Sequence, residues 1–553
     1  MTTPQKMPIL LLAVLSSAAH AAGPDPILYK FSIKDPASHL AHVEATVPAD
    51  ANQPLVLMMP LWTPGYYVKE NYAAKVQNLS AAAGGKPLTV DHKANRWSVA
   101  AGEIGESKAV TLSYDLLCDG RSVTGSSVSP EMAIINGGSA FITLAEKQVA
   151  RAHRIQIELP ANWKNSISGL EPDPDGNPNH YLAADFDRVA DAPIIAGNIN
   201  LTDFEVGGIS HVVADAGDVQ NWDSQAAAEN IRRFVEENAN FWAPVGGLPY
   251  KRYVFLNIFR NGGGGLEHMN SCLLTSSARN APAGGAPGWL NYVSHEYFHC
   301  YNVKRFRPVE LGPFDYEAMP STPSLWISEG LTNYYGELLV TRAGITTPAN
   351  WLATVSGHIR TLQGTPGRLK QTLSDASLSV FTGGSTSGVG GNTANGISYY
   401  DKGQVVGFVL DARIRHVTDG RKSLDDVMRE GLKRYGYPKA GFTPEEFVAL
   451  CSEVAGADMK PFFHQTLDTT EELDYSEALD WYGLRFAAPA TAPATGAASV
   501  SAPASASAPA RGGRGAGGNS TAFTLEVLAT ATAAQKAHLA AVTAPDAPKQ
   551  QAK

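Results

Sequence analysis

Near residue 204 the sequence changes its period, and that change divides the chain. From about 26 to 200 it runs in short segments of strand character, among them His42-Val43-Glu44-Ala45-Thr46-Val47, Leu55-Val56-Leu57-Met58-Met59 and Ala109-Val110-Thr111-Leu112-Ser113-Tyr114. Gly, Pro, Asn and Asp punctuate them, as in an antiparallel β-sandwich. From Asp223 to Trp242 the spacing of Ile231, Phe234 and Phe241 is that of one helical face, and helical stretches recur to about residue 470. The chain therefore reads as a multidomain α+β protein, with an N-terminal β domain over 26–203 and a mostly helical domain over 204–486.

The flanks read differently. Lys6 precedes the apolar run Met7 to Leu15, and small residues follow up to Ala19-His20-Ala21, the pattern of a secretory signal peptide over 1–21. The run is shorter than the about 20 residues that span a bilayer, so the expectation is export to the periplasm or medium without membrane insertion. Residues 487–520 are Ala, Pro, Ser and Gly repeats whose charges are Arg511 and Arg514, a composition that cannot bury a core and reads as a disordered linker. The tail 521–553 offers one strand candidate, Phe523 to Val527, and one helix candidate, Ala533 to Val542, too little to fold alone. With 44 Lys+Arg against 53 Asp+Glu, a net charge of -9 argues against a nucleic-acid-binding protein. Four cysteines without a CxxC pair argue against a zinc ribbon or a thioredoxin-like site.

The chemistry is written at Val293-Ser294-His295-Glu296-Tyr297-Phe298-His299-Cys300. On a helix, residues four apart share a face, so His295 and His299 can both offer a nitrogen to one zinc ion. Glu296 lies beside them as the general base that takes a proton from water and passes it to the leaving amine. A metzincin would carry Gly and His where this chain has Asn302 and Arg305, so a carboxylate from a following helix is the remaining third ligand. Glu329 in Leu325-Trp326-Ile327-Ser328-Glu329-Gly330 is the best candidate, with Glu310, Glu317 and Glu337 as rivals. Two histidines and one glutamate leave a fourth zinc position open for water. Asn333, one turn on, is a candidate to orient a histidine.

Two further segments suit the same reaction. The strand candidate Tyr253 to Phe259 runs into Gly263-Gly264-Gly265-Leu266-Glu267-His268, where glycines let a peptide approach the backbone and Glu267 can grip a charged N-terminal amine. Tyr400, in Tyr399-Tyr400-Asp401-Lys402-Gly403, can donate a hydrogen bond to the oxyanion. The cations Lys304, Arg305 and Arg307 either bind a substrate carboxylate or complement the end of a helix. Cys272 and Cys300 both adjoin these motifs and leave a disulfide open. The cluster Trp62-Thr63-Pro64-Gly65-Tyr66-Tyr67 reads as a turn flanked by core aromatics, with a binding surface as the alternative.

In this order, Gly264 to His268, then His295 to His299 running into Asn302-Val303-Lys304-Arg305-Phe306-Arg307-Pro308, then Leu325-Trp326 to Glu329-Gly330, the sequence resembles the glycyl aminopeptidase family of zinc metallopeptidases. The Trp62 to Tyr67 cluster resembles that family's N-terminal domain, so the likeness covers about residues 26 to 486. It implies a thermolysin-like catalytic domain holding one zinc per chain on His295, His299 and Glu329, with Glu296 as base. It also implies release of N-terminal residues, Gly and Ala preferred, from peptides with a free amine. In the wider group of thermolysin-like aminopeptidases, Glu267 matches the amine-binding glutamate and Tyr400 the oxyanion tyrosine, with Leu266, His268 and Asp401 departing from the neighbouring pattern. Members commonly carry a PDZ domain with a Gly-Leu-Gly-Phe-like loop, and no such loop follows Phe486. The alternatives are a zinc endopeptidase in which Glu267 is structural, and a peptide-binding scaffold with a dead site.

Overall fold

The computed structural model describes residues 24–146, 150–260, 263–276, 285–382, 391–487 and 522–546. The leader read over 1–21 and nearly all of the linker read over 487–520 lie outside them.

The N-terminal part is a layered β structure. Its largest sheet has eight strands, with Ile27–Ser32, Leu40–Pro48 and Ala109–Leu117 adjacent near its middle. Leu40–Pro48 and Ala109–Leu117 alternate buried and more exposed positions, so one face meets the core and the other water. The pairing is antiparallel except where Ile27–Ser32 runs parallel to His153–Glu158. Two four-stranded sheets complete the layers around a core that includes Leu57, Trp97 and Tyr114.

Asn200–Val206 opens a further sheet, of five strands, in the order Asn200–Val206, Ile209–Gly217, Arg252–Phe259, Ser271–Ser276, Gly264–Glu267. Arg252–Phe259 lies parallel to both its neighbours and is buried on both faces, which explains its continuous apolar run. Val254, Leu256 and Ile258 pack against Ile134 and Ile195 of the N-terminal part, while Tyr253 and Phe255 pack against the helices. The sheet is thus the plate between the two halves. Gly264–Glu267 forms its edge, so among the described residues the strand carrying Glu267 has one flank without a partner strand.

On the helical side Ser224–Trp242 begins at an N-cap where the Asp223 side chain accepts from the Ala226 N–H. Pro287–Phe298, Leu331–Arg342 and Tyr399–Val417 pack on one another around the cluster of Phe298, Tyr334 and Tyr335. Leu525–Val527 pairs with Leu484–Phe486, and the helix Ala533–Thr543 packs on Ser476–Tyr482. The tail is therefore part of the helical half rather than an appendage. No helix among the described residues is long and apolar enough to cross a membrane.

Candidate active site

The histidine pair sits at the end of Pro287–Phe298, which starts on Pro287 and closes with His299 at its C-cap. Glu329 comes from the next element, a π-helical turn over Trp326–Gly330 that runs straight into Leu331–Arg342. A π turn inserts one extra residue into the helical repeat and swings its side chains off the regular face, a feature concentrated at functional sites. Here it turns Glu329 to the histidines. Its Oε2 lies 3.5 Å from His295 Nε2 and 3.2 Å from His299 Nε2, and the two Nε2 atoms are 3.0 Å apart.

Three donor atoms converging in a buried space fit a divalent cation. His299 Nδ1 lies 2.7 Å from the Asn302 carbonyl, which takes its N–H and leaves the Nε2 lone pair facing inward. Glu296 also brings a carboxylate oxygen within 4.8 Å of both imidazole donors. The Glu329 oxygen is nearer to both, so His295, His299 and Glu329 form the tighter set and Glu296 stands beside it. Burial pushes the Glu296 carboxyl well above its usual range, toward the proton-accepting strength a base needs. Burial, together with the neighbouring His299, lowers the His295 pKa. For His299 burial acts the same way but the Glu329 carboxylate outweighs it, pushing the imidazole up to about 9.

The rivals for the third ligand are engaged elsewhere. Glu310 accepts from Thr322 Oγ1 at 3.2 Å, Glu317 pairs with Arg96 of the N-terminal part, and Glu337 binds His358 and Gln404. The second contact to His299 Nδ1 comes from Thr332 Oγ1, at 3.5 Å, and not from Asn333. Asn302 ties the pieces together, its Nδ2 donating to the Ile327 carbonyl at 2.8 Å and to Thr332 Oγ1 at 3.0 Å.

The Gly264–Glu267 edge strand passes directly over the base. A Cβ on Gly265 would lie 2.0 Å from Glu296 Oε1, so only glycine lets the strand run there. Glu267 ends that strand, 3% exposed, with Oε1 lacking any hydrogen bond. The turn Thr63–Tyr66 from the N-terminal part closes over it, and a Cβ on Gly65 would meet Glu267 Oε1 at 2.5 Å. The cluster Trp62 to Tyr67 is a turn between aromatics, as expected, and also a wall of the site.

Behind Glu267 lies a charge network that the sequence did not announce. Lys304 Nζ is 2.9 Å from Asp191 Oδ1 and 3.6 Å from Glu267 Oε1, and His268 Nδ1 is 3.4 Å from Asp191 Oδ1. Against the effect of burial, Lys304 holds the Asp191 carboxyl well below the usual carboxylate range. Asp191 caps the five-residue helix Phe186–Ala190 of the N-terminal part, and nothing in its local sequence marks it as a partner of residues 267 and 304. Arg305, by contrast, braces backbone carbonyls of Met269, Cys300 and Pro249.

Tyr400 begins the helix Tyr399–Val417, its ring 6.1 Å from that of His295. Burial and the nearby Glu329 push the phenol well above its usual value, which keeps it an O–H donor. Its helix reaches the Glu329 turn because Gly330 meets Gly403, where a Cβ on Gly330 would stand 2.5 Å from Gly403 Cα. Cys272 and Cys300 are free, buried thiols.

Two histidines and a glutamate converging beside a buried carboxylate, under the edge strand of a mixed sheet, define a metallopeptidase. Comparison with known proteins carries this further. The peptidase M61 N-terminal domain matches residues 28–198 and the M61 glycyl aminopeptidase domain matches residues 288–406. The chain belongs to the M61 glycyl aminopeptidase family, and it is a peptidase. Its fold is similar to an aminopeptidase N family protein from Idiomarina loihiensis, with TM-score 0.76 and 24% identity over 83% of this chain and 78% of that one. It is also similar to an M1 zinc metallopeptidase from Deinococcus radiodurans, with TM-score 0.50 and 11% identity over 81% of this chain and 95% of that one. A mutant of the latter, bound to a Tyr-Ser-Ala substrate, gives TM-score 0.51 and 12% identity over 81% and 94% of the two chains. No curated protein matches the sequence.

Proposed function

We propose that the protein is a zinc aminopeptidase that releases the first residue of peptides with a free N-terminus, with a preference for small residues such as Gly or Ala. The observation that carries this reading is the buried Oε1 of Glu267, which accepts no hydrogen bond and has Lys304 Nζ 3.6 Å away, at the end of the edge strand and one glycine-lined step from Glu296. An ammonium group settling there gives that oxygen a partner and sets the first peptide bond beside the base.

His295, His299 and Glu329 are the residues that would hold one zinc ion, which supplies Lewis-acid polarisation of the scissile carbonyl and of the attacking water. The rest is done by the chain. Glu296, its proton affinity raised by burial, takes the proton from the water and delivers it to the departing amine nitrogen. Tyr400 donates a hydrogen bond from its hydroxyl to the developing oxyanion. The edge strand offers its free flank to the peptide backbone. Thr63–Tyr66 closes the amine corner against chain upstream of the first residue.

A second reading has one observation in its favour. Lys304 lies 3.6 Å from Glu267 and already gives that carboxylate a cationic neighbour, as in an endopeptidase where Glu267 is structural. Hydrolysis of Gly- and Ala-anilides beside N-acetylated peptides separates the two. Cleavage confined to free amines, with Glu267→Ala impaired on them, supports the aminopeptidase. Equal cleavage of blocked peptides overturns it. Glu296→Gln should lose about 100- to 10,000-fold in kcat while retaining zinc. Export, resting on residues 1–21, belongs to the same reading and is checked by the N-terminal sequence of the mature protein.

A further inference from the structure

Of the three cations that follow the histidine helix, the structure occupies two. Arg305 braces backbone carbonyls, and Lys304 is shared between Asp191 and Glu267. Arg307 is left over. Half-buried, its guanidinium lies over the Phe314 ring, 5.0 Å from the centroid, and among the described residues it forms no hydrogen bond or ion pair. Burial lowers its pKa, opposed by the charges of Asp187 and Asp191. Arg188 faces the same space and, among the described residues, also has no carboxylate partner; it contacts the Met269 sulfur and lies 5.7 Å from the Tyr437 ring centroid.

Both guanidinium groups line a cavity of about 70 Å³ that has Glu267 in its wall. The other acids along it are engaged. Asp191 carries Lys304, Asp187 accepts from the Tyr316 hydroxyl at 2.8 Å, and Asp185 caps the backbone N–H of Arg188. The cavity thus has the Glu267 carboxylate, with Lys304 3.6 Å away, on one side, and on the other the Arg188 and Arg307 guanidinium groups, neither of which has a carboxylate partner among the described residues. At roughly 10–15 Å³ for each water, it has room for about five waters or a short side chain.

We propose that this cavity is a carboxylate subsite, and that it accepts the acidic side chain of a first-residue Asp or Glu whose ammonium group rests on Glu267. The assignment relies on the aminopeptidase reading for the direction in which the substrate lies. A guanidinium fork matches a carboxylate bidentately, and a charge withdrawn from water without a partner gains most from receiving one. Gly and Ala leave the space to water; Asp and Glu fill it.

The test compares binding rather than turnover. Glutamic acid α-amide and glutamine α-amide are titrated by calorimetry into zinc-loaded Glu296→Gln protein. They differ in the side-chain acid alone and neither has an α-carboxylate. The expected result is at least about tenfold tighter binding of the acid, as one charge-assisted hydrogen bond gives. Arg307→Gln should erase the preference, Arg188→Gln should reduce it, and Arg307→Lys should keep part of it. Equal binding of the two amides overturns the subsite whether or not the variants fold. Ala-Ala against Ala-Ala-amide reads the other source of a carboxylate, the peptide's own C-terminus, and a preference there alone overturns the side-chain assignment. If the acid amide binds better but no free-amine substrate is cut, the subsite stands and the aminopeptidase reading falls. If Ala-anilide is cut and the amides bind equally, the reverse holds.

Discussion

His299 is fixed on both sides of its ring, and the fixing atoms come from different segments. Its Nδ1 faces the Asn302 carbonyl at 2.7 Å and Thr332 Oγ1 at 3.5 Å, while Nε2 faces Glu329. A group that orients a ligand without touching the metal typically changes metal affinity by about 10- to 100-fold when removed. Thr332→Val should therefore weaken zinc binding by roughly tenfold in a chelator competition, while the circular dichroism spectrum stays native. Unchanged affinity would make the Thr332 contact a packing accident. At this scale the sequence spoke clearly where spacing carries the chemistry: His295, Glu296 and His299 follow from the four-residue period of a helix. It was silent about Asp191 and Thr332, whose roles depend on which distant segments the fold brings beside them. Asn333 shows the same limit from the other side, since the π turn at Trp326–Gly330 shifts the register that made it a candidate.

Among elements, the crossing of Tyr399–Val417 over the Glu329 turn sets the distance from Tyr400 to the histidines. Gly403→Ala places a methyl carbon 2.9 Å from both Gly330 Cα and the Trp326 carbonyl oxygen, closer than backbone atoms allow. Overpacking of this sort costs about 1–3 kcal/mol, and a shift of the helix by about 1 Å is enough to lower kcat up to 100-fold. The expected phenotype is a folded, zinc-replete enzyme with a lowered thermal midpoint and a lowered kcat. A second tie holds the same helix. His358 Nδ1 is 2.8 Å from Asp401 Oδ1 and its Nε2 is 3.1 Å from Glu337 Oε1, joining the start of the Tyr400 helix to Leu331–Arg342. Burial alone would lower the imidazole pKa from 6.5, but the Glu337 and Asp401 carboxylates overcome it and push it up to about 10. A pKa raised on folding gives stability that is complete below the unfolded value of 6.5 and is lost as pH rises through about 10. Denaturant midpoints at pH 6 and pH 10 should fall further for the native protein than for His358→Gln. Parallel profiles would remove His358 from the account. Helices such as Ser224–Trp242 were legible because their apolar spacing and Asp cap are local. The five-stranded sheet was not, since only Tyr253–Phe259 stood out as a strand among helices.

Across the whole molecule, the tail is a clamp. Arg342, 4% exposed, donates from Nε to the Val542 carbonyl at 2.9 Å, and Asp546 takes Arg429 at 2.9 Å while its N–H donates to Glu237 Oε1 at 2.8 Å. The composition of residues 521–553 argued that they cannot fold alone, and the structure gives the complement: residues 522–546 finish a surface that other segments leave open. Removing everything after residue 521 would take the Val542 carbonyl and Asp546 from Arg342, which keeps Asp425 at 3.0 Å, and the Asp546 N–H from Glu237, a loss of about 1.5–3 kcal/mol for each hydrogen bond to a charged group. A thermal midpoint lower by several degrees is expected, and an unchanged midpoint would reduce the clamp to decoration. The halves themselves were legible as texture, whereas the shared plate between them, with Val254, Leu256 and Ile258 facing Ile134 and Ile195, is a product of tertiary packing.

The pairing of Leu484–Phe486 with Leu525–Val527 has a consequence for what the chain can tolerate. Residues 487 and 522 leave and re-enter the fold at adjacent strands, so a change in the length of chain between them changes the entropy of closing a ring. That entropy grows with the logarithm of length, about 0.6 kcal/mol for each doubling. The junction is therefore a socket: a natural lineage or an engineer can lengthen, shorten or load it with a whole module while the peptidase on which it sits keeps its stability nearly intact.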